Sequence, residues 1–398
     1  MAETPLMSTQ REHEPASASR GIGRASLMAA GRRLGMPLLF VLVPAIVAWE
    51  FLTTRPQPSV LGSDFRGTLW NAAGALLEGR SPYPTLGSAA VESGNPAVYP
   101  PFAMLVVAPL RLLGWHTALA LWLVVLVAAA VAGLHLLGVR DWRLYPLVLV
   151  SIPVMQGVLY SNITLLLLFG VGIAWRYRER PGISGLAIGV IVAAKLFLWP
   201  LGVWLLLTRR FRSAFAAACW AVGLVIVPWA AIGFDGLRDY PRLLGEVSDY
   251  YGPRSMSLLA LGDHIGLSEQ PARVLPLVGG IVVLAIAAVV SRREVSDRRV
   301  FALCVLAAVV ASPIVWGYYL TLLFVPVLMV RPRLDVVAAL AVALWIVLSP
   351  AAVWGPLHLP PWTTTTVAVA GLFAVVAWFV SAATEPYAAA TQNAEVVP

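Results

Sequence analysis

Charge is scarce in this sequence. Only 12% of its 398 residues are Asp, Glu, Lys or Arg, against 59% hydrophobic residues, and the mean hydropathy is +0.81. That balance excludes a soluble globular domain and makes lipid the solvent of the fold. Lysine is scarcer still: Lys195 is the only one, so every other fixed positive side chain is arginine. Cysteine is reduced to Cys219 and Cys304, both inside apolar segments where free thiols act as small hydrophobes, so no disulfide framework or metal cluster is implied. The chain also lacks a Walker loop, a dinucleotide fingerprint, a CxxC pair and a zinc-helix motif, which argues against ATP hydrolysis, nicotinamide chemistry and metal proteolysis. No cofactor is called for, and the energy of any reaction must arrive in the substrate. The net charge of +8 reads as the positive-inside bias of cytoplasmic loops rather than nucleic-acid binding.

What is present is a succession of apolar runs, at about 36–53, 99–113, 117–138, 144–156, 158–175, 183–207, 213–232, 272–290, 299–311, 313–330, 334–352 and 363–382. Short alternating strands, which a barrel would need, are absent, so the fold class is all-α, a polytopic transmembrane helical bundle. Several runs are shorter than the roughly 20 residues of a perpendicular span. Pro153, Pro200 and Pro313 interrupt others, so broken or re-entrant helices are expected.

Residues 1–34 read as a disordered cytoplasmic tail, 35–383 as a single transmembrane domain and 384–398 as a flexible C-terminal tail. The run 36–53 reads as the first span rather than a cleaved signal peptide. Arginine clusters at 176–180, 209–212, 292–299 and 331–333 should be cytoplasmic, which leaves two long outer loops, 54–98 and 233–271. Arg140 and Arg143 fit the same side if 99–113 is a re-entrant or interfacial hairpin instead of a full span.

Polar residues suited to chemistry gather on the outer side. The first loop, from Gly62-Ser63-Asp64-Phe65-Arg66 to Gly79-Arg80-Ser81-Pro82-Tyr83, reads as an amphipathic juxtamembrane helix. Asp64 is there either the cap of that helix or a base poised at the bilayer surface. Tyr99-Pro100-Pro101-Phe102 makes a turn before an apolar run, and Gln156, Tyr160, Ser161 and Asn162 mark a break between two apolar half-segments. Lys195 lies within an apolar segment, at a cost of roughly 2.5–3.5 kcal/mol on insertion scales, so it either snorkels or meets an anion such as a phosphate. The second loop supplies Arg254 and His264 among mixed charged and aromatic residues, and Ser312-Pro313 with Trp316, Gly317, Tyr318 and Tyr319 forms another break.

Taken in order, Asp64, Gly79–Tyr83, Tyr99–Phe102, Gln156-Gly157 with Asn162, Lys195 before Leu196-Phe197, and Ser312-Pro313…Trp316 resemble the GT-C membrane glycosyltransferases. The likeness is greatest to glycosyltransferase family 87, the actinobacterial polyprenyl-phosphate-mannose-dependent α-mannosyltransferases. The resemblance implies a polyprenyl-phosphate sugar donor, a glycolipid acceptor, membrane lipids as surroundings and an active site facing the extracytoplasmic side of the cell membrane. It implies Asp64 as catalytic base, Lys195 and Arg254 as ligands of the donor phosphate, and Arg66, Tyr83, Tyr99, Gln156, Asn162, His264, Trp316, Tyr318 and Tyr319 as substrate-binding residues. Family members often carry an acidic residue or histidine after the Trp of the last motif, where this chain has Gly317. A transporter or flippase of a lipid-linked or polar substrate is the competing class, since broken helices and a lone intramembrane lysine also suit translocation. A membrane scaffold without a site is the third, and it would leave Asp64 and Lys195 in unrelated places.

Overall fold

The computed structural model describes Trp49 and residues 60–92, 95–293, 297–348 and 361–382. The expected first span at 36–53 and both tails lie outside these residues, Trp49 apart. Among the described residues the regular structure is helical, without strands.

The juxtamembrane helix α1 opens as a π-helical stretch, Phe65–Asn71, and continues as Ala72–Leu77. Then follow α2 (Pro101–Leu112), α3 (Trp115–Leu136), α4 (Leu144–Leu149), α5 (Ile152–Tyr160), α6 (Thr164–Arg176), α7 (Pro181–Ala194) and α8 (Leu196–Leu207). The second half has α9 (Phe211–Ala231), α10 (Tyr240–Tyr251), α11 (Leu258–His264), α12 (Glu269–Arg292), α13 (Asp297–Val310), α14 (Gly317–Val330), α15 (Leu334–Leu348) and α16 (Pro361–Ala382). Among the described residues four helices, α3, α9, α12 and α16, are long and apolar enough to cross a bilayer, and the bent pair α5/α6 makes a fifth if it is one span. The chain is thus a multi-pass membrane protein, with long spans that expose apolar side chains and shorter helices between them. α13 is buried on every side from Val300 to Val310, which is why its sequence is apolar all round.

Three breaks shape the interior. α5 and α6 meet at 118° across Ser161–Ile163, with Ser161 in the left-handed region at φ +56°. The break therefore falls after Tyr160, and the polar Gln156 stays inside a helix. The run 183–207 is likewise a hairpin rather than one span. Its two ends come together where Arg210 Nη2 meets Glu179 Oε1 at 2.6 Å, and its apex is the extended Lys195. Fourteen residues of α7 at about 1.5 Å each reach only about 21 Å, short of a hydrocarbon core of about 30 Å. The third break, 311–316, joins α13 to α14, which packs back along it. The segment 99–113 is one short helix, α2, not a hairpin: Pro100 and Pro101 set its start, and it runs without reversal to Leu112.

The arginine-rich ends of these helices are tied together. Arg210 pairs with Asp297 at 2.9 Å and Arg178 approaches the same carboxylate at 3.4 Å, while Trp204 Nε1 donates to its other oxygen at 2.7 Å. At the opposite end the two loops 60–98 and 233–257 form one layer. Tyr240 donates to the Val98 carbonyl at 2.7 Å, Tyr251 to Val91 at 3.3 Å, and Gly87 N–H to Glu246 Oε2 at 2.9 Å.

Between the ends, small residues let helices approach closely, since in lipid the gain comes from packing rather than from expelled water. A Cβ at Gly185 would lie 2.6 Å from the Ala216 methyl, and one at Gly189 would overlap the Trp220 side chain, so this Gly-x-x-x-Gly face of α7 fixes α9 against it. Substituting Gly189 by Leu is expected to cost about 1–3 kcal/mol through overpacking. Thermal unfolding of the purified protein in detergent should show a lowered midpoint.

Candidate active site

The end opposite the arginine network collects the polar residues of all three breaks. Gly62, at φ +75°, donates its N–H to the Leu159 carbonyl at 2.8 Å and seats the start of α1 on the end of α5. Asp64 follows inside the first helical turn, and its side chain caps nothing. Only 7% exposed, the carboxylate instead accepts a hydrogen bond from Asn162 Nδ2 at 2.7 Å and one from the Tyr318 hydroxyl. The reading of Asp64 as a plain helix cap fails on this geometry.

Asn162 is placed by the α5/α6 break and uses its whole amide. Nδ2 also donates to the Tyr99 hydroxyl at 3.1 Å, and Oδ1 accepts from the Thr164 N–H at 3.0 Å and the Thr164 hydroxyl at 2.7 Å. Trp122 Nε1 secures the break by donating to the Ser161 carbonyl at 3.0 Å. Asn162 therefore orients Asp64 and is itself held rigidly, so its role here is positioning.

Lys195 arrives from the second break. Its residue is 6% exposed and its Nζ has no hydrogen-bond partner among the described residues, although the ammonium lies within the field of the Asp64 carboxylate. Four rings surround it: Tyr319 at 3.9 Å from ring centre to Nζ, Tyr99 at 5.4 Å, Tyr318 at 5.6 Å and Phe197 at 5.7 Å. Aromatic faces recover part of the cost of desolvating a cation, but they leave its three N–H donors unused. Asp64 and Lys195, 131 positions apart in the numbering, thus share Tyr99 and Tyr318 as neighbours.

Burial holds the Asp64 carboxyl above its ordinary value of 3.8, against the opposing pull of Asn162, Tyr318 and Lys195. A base with a raised pKa keeps enough basicity to accept a proton near neutral pH. The remaining expected residues divide into two groups. Tyr83 buttresses the site by donating to the Tyr99 carbonyl at 3.0 Å while stacking on Trp229 at 5.1 Å. Tyr319 stacks on Phe197 at 5.1 Å, and Trp316 packs edge-on against Tyr251 at 6.2 Å. Gln156 turns its amide into the space above Gly317, where any Cβ would collide with Oε1.

Arg66, Arg254 and His264 do not join this cluster. The Arg66 guanidinium lies over Trp115 at 4.8 Å on an exposed surface. Exposed Arg254 folds back onto Tyr250, over its ring at 4.1 Å and bonded to its carbonyl. The His264 ring nitrogen Nδ1 is 3.2 Å from Thr366 on α16. Each of the three instead meets a local aromatic or hydroxyl partner, which loop composition does not disclose. Phe197 and Tyr160, which the sequence motifs include without a binding role, also border the cluster: Phe197 faces Lys195, and the Tyr160 ring is 6.0 Å from Tyr318. Phe197 had a signal, being two residues from the only lysine. Tyr160 had one too, being the last residue before the break.

Among the described residues no group of His, Cys, Asp or Glu is arranged to hold a metal ion. The cluster offers a buried carboxylate that can take a proton and a buried ammonium that can meet an anion, in adjoining positions. No solved structure matches the chain. It is 28% identical over 240 residues to a polyprenol-phosphate-mannose-dependent α-(1-2)-phosphatidylinositol pentamannoside mannosyltransferase of Mycolicibacterium smegmatis. That alignment covers 56% of this chain and 58% of the relative, so less than two thirds of the relative's length is spanned. Residues 97–313, with Tyr99, Asn162, Lys195 and Ser312 among them, match the family profile described as glycosyltransferase family 87. That match takes in more than half of the chain, and the protein belongs to glycosyltransferase family 87.

Proposed function

We propose that this protein transfers a mannosyl group from a polyprenyl-phosphate donor to a hydroxyl of a glycolipid acceptor, with inversion, on the extracytoplasmic side of the membrane. The observation that carries the reading is the buried Asp64 carboxylate, held by Asn162 and placed beside an ammonium with no hydrogen-bond partner among the described residues. Membership of the family and the name of the Mycolicibacterium smegmatis relative, a polyprenol-phosphate-mannose-dependent mannosyltransferase, support this substrate class. Asp64 lies before the matched residues, but its partner Asn162 lies within them, which supports reading the carboxylate as part of the same site.

In this mechanism the acceptor oxygen forms a bond to the sugar's anomeric carbon as its proton passes to Asp64. The bond between that carbon and the phosphate oxygen breaks, and polyprenyl phosphate leaves with the electron pair. A single displacement of this kind inverts the anomeric centre. Lys195 sits beside the phosphate, where its unused donors meet the charge that grows on the leaving group. The aromatic lining keeps water away from the reacting carbon and raises the worth of both charges.

Asp64→Asn retains size and hydrogen bonding but accepts no proton, so transfer by purified protein should fall by about 10²–10⁴-fold while donor binding persists. Wild-type rates from that variant would end the assignment of Asp64 as base. Since the carboxyl must be ionised to act and its pKa is raised, kcat/KM should drop on the acid side at a pH above 3.8. A rate that stayed flat down to that value would contradict the burial argument.

Lys195→Ala should raise the donor KM as well as lower kcat, because an ammonium on a phosphate acts before and during the transition state. Asn162→Ala should lower kcat with little change in donor KM, and steady-state kinetics of the two variants side by side separates the roles. In intact cells of a variant lacking Cys219 and Cys304, a cysteine placed at exposed Arg242 should react with an impermeant maleimide. One placed at exposed Arg212 should not, and the reverse pattern would invert the orientation.

A further inference from the structure

Helix α5 is buried on most sides, and three of its nine residues keep partial exposure: Gln156, Val158 and Tyr160. Gln156 and Tyr160 are four positions apart and so share one face of the helix, with Val158 on another. Helix α5 packs along the start of α14. The Gln156 amide stands over Gly317, and the Tyr160 ring is 6.0 Å from the Tyr318 ring. Neither the Gln156 amide nor the Tyr160 hydroxyl has a hydrogen-bond partner among the described residues.

The polar groups nearest the carboxylate are already committed. Tyr318 gives its hydroxyl to Asp64, Asn162 uses both ends of its amide, and buried Tyr99 accepts from Asn162. Gln156 and Tyr160 are instead half-buried and unspent. An amide offers a donor and an acceptor, and a phenol does the same, so the two together suit the neighbouring hydroxyls of a pyranose, each of which also gives and takes a hydrogen bond. Tyr160 is close enough to Asp64 to feel its charge, which puts this strip beside the reacting centre.

We propose that Tyr160 and Gln156 form the subsite that reads the hydroxyls of the transferred sugar. This rests on the transfer reaction proposed above and assigns the residues that choose which sugar is transferred. In a single displacement the anomeric carbon stands between the acceptor oxygen at Asp64 and the phosphate at Lys195. Tyr318 reaches both, with its hydroxyl on the carboxylate and its ring centre 5.6 Å from Nζ. A pyranose attached to that carbon lies beside Tyr318, on whose flank α5 sets Tyr160. A sugar lacking the matching hydroxyl would leave a protein polar group desolvated and unpaired, so discrimination exceeds the loss of one contact.

The test uses the full chain in phosphatidylcholine nanodiscs, with polyprenyl-phosphate-mannose and its four monodeoxy forms as donors. Wild-type protein should use at least one monodeoxy donor about tenfold less efficiently than the complete one in kcat/KM, the equivalent of roughly 1.4 kcal/mol. Tyr160→Phe keeps the ring against Tyr318 and drops the hydroxyl, and Gln156→Met keeps the length and drops the amide. Each variant should transfer the complete donor more slowly while its penalty for one missing hydroxyl largely disappears, the non-additivity that marks a direct contact. Should Gln156→Met fail to fold over Gly317, Tyr160→Phe carries the test alone. Penalties unchanged from wild type, or a wild-type protein indifferent to every monodeoxy donor, would overturn the inference and leave the transfer reaction standing. Native mass spectrometry gives a readout without turnover: wild-type protein should retain polyprenyl-phosphate-mannose over bare polyprenyl phosphate, and the double variant should lose that preference. A preference that depends on both residues, with no transfer from any donor, would strike the transfer reaction and leave the sugar subsite standing.

Discussion

A helix that breaks inside a bilayer leaves polar backbone groups which only other protein groups can satisfy. The site end of this molecule is organised by that constraint. At the first break the Ser161 carbonyl takes the Trp122 indole N–H, and Thr164 N–H takes the Asn162 side chain. At the third the Ser312 hydroxyl donates to the Ile314 carbonyl at 2.6 Å, and the Met256 N–H reaches over from the second outer loop to Val315 at 2.8 Å. Each group that repairs a break also locates something useful. Asn162 holds Asp64, and the repaired loop delivers Tyr318 and Tyr319 to Lys195.

The same constraint explains why Lys195 sits at an apex and not along a helix side. An ammonium in mid-helix would face lipid through most rotations, whereas at the turn of a hairpin it is enclosed by whatever the other turns bring. Here those are aromatic rings, which stabilise a cation without neutralising it. The opposite ends of the hairpins are tied by Arg178, Arg210, Glu179 and Asp297, a network only partly exposed and so worth more than isolated surface pairs. One end of the bundle is thereby fixed by ion pairs and the other by hydrogen bonds around the carboxylate.

Much of this was legible in the residues. Hydropathy marked the apolar runs, and the arginine clusters at 176–180, 209–212 and 292–299 indeed share one end, because charge is tolerated only where the chain leaves the hydrocarbon. Asp64, Tyr99, Asn162, Lys195, Tyr318 and Tyr319 stood out as polar groups in apolar company, and the structure gathers them. Arg66, Arg254 and His264 lie apart from this cluster, and nothing in the sequence around them gives the direction in which their side chains turn. Pro200 marked 183–207 as an interrupted run, and the arginines at both its ends agree with the reversal, which falls at Lys195. Whether Asp64 capped its helix depended on a partner 98 positions away, beyond the reach of any local pattern.

Gly317 carries a consequence for how this branch of the family can diversify. The Gln156 amide occupies the place of the side chain that a larger residue would have there. Positions 156 and 317 therefore constitute one choice rather than two. A side chain after Trp316 requires the Gln156 amide to swing away or a smaller residue at 156, so the two positions should vary together.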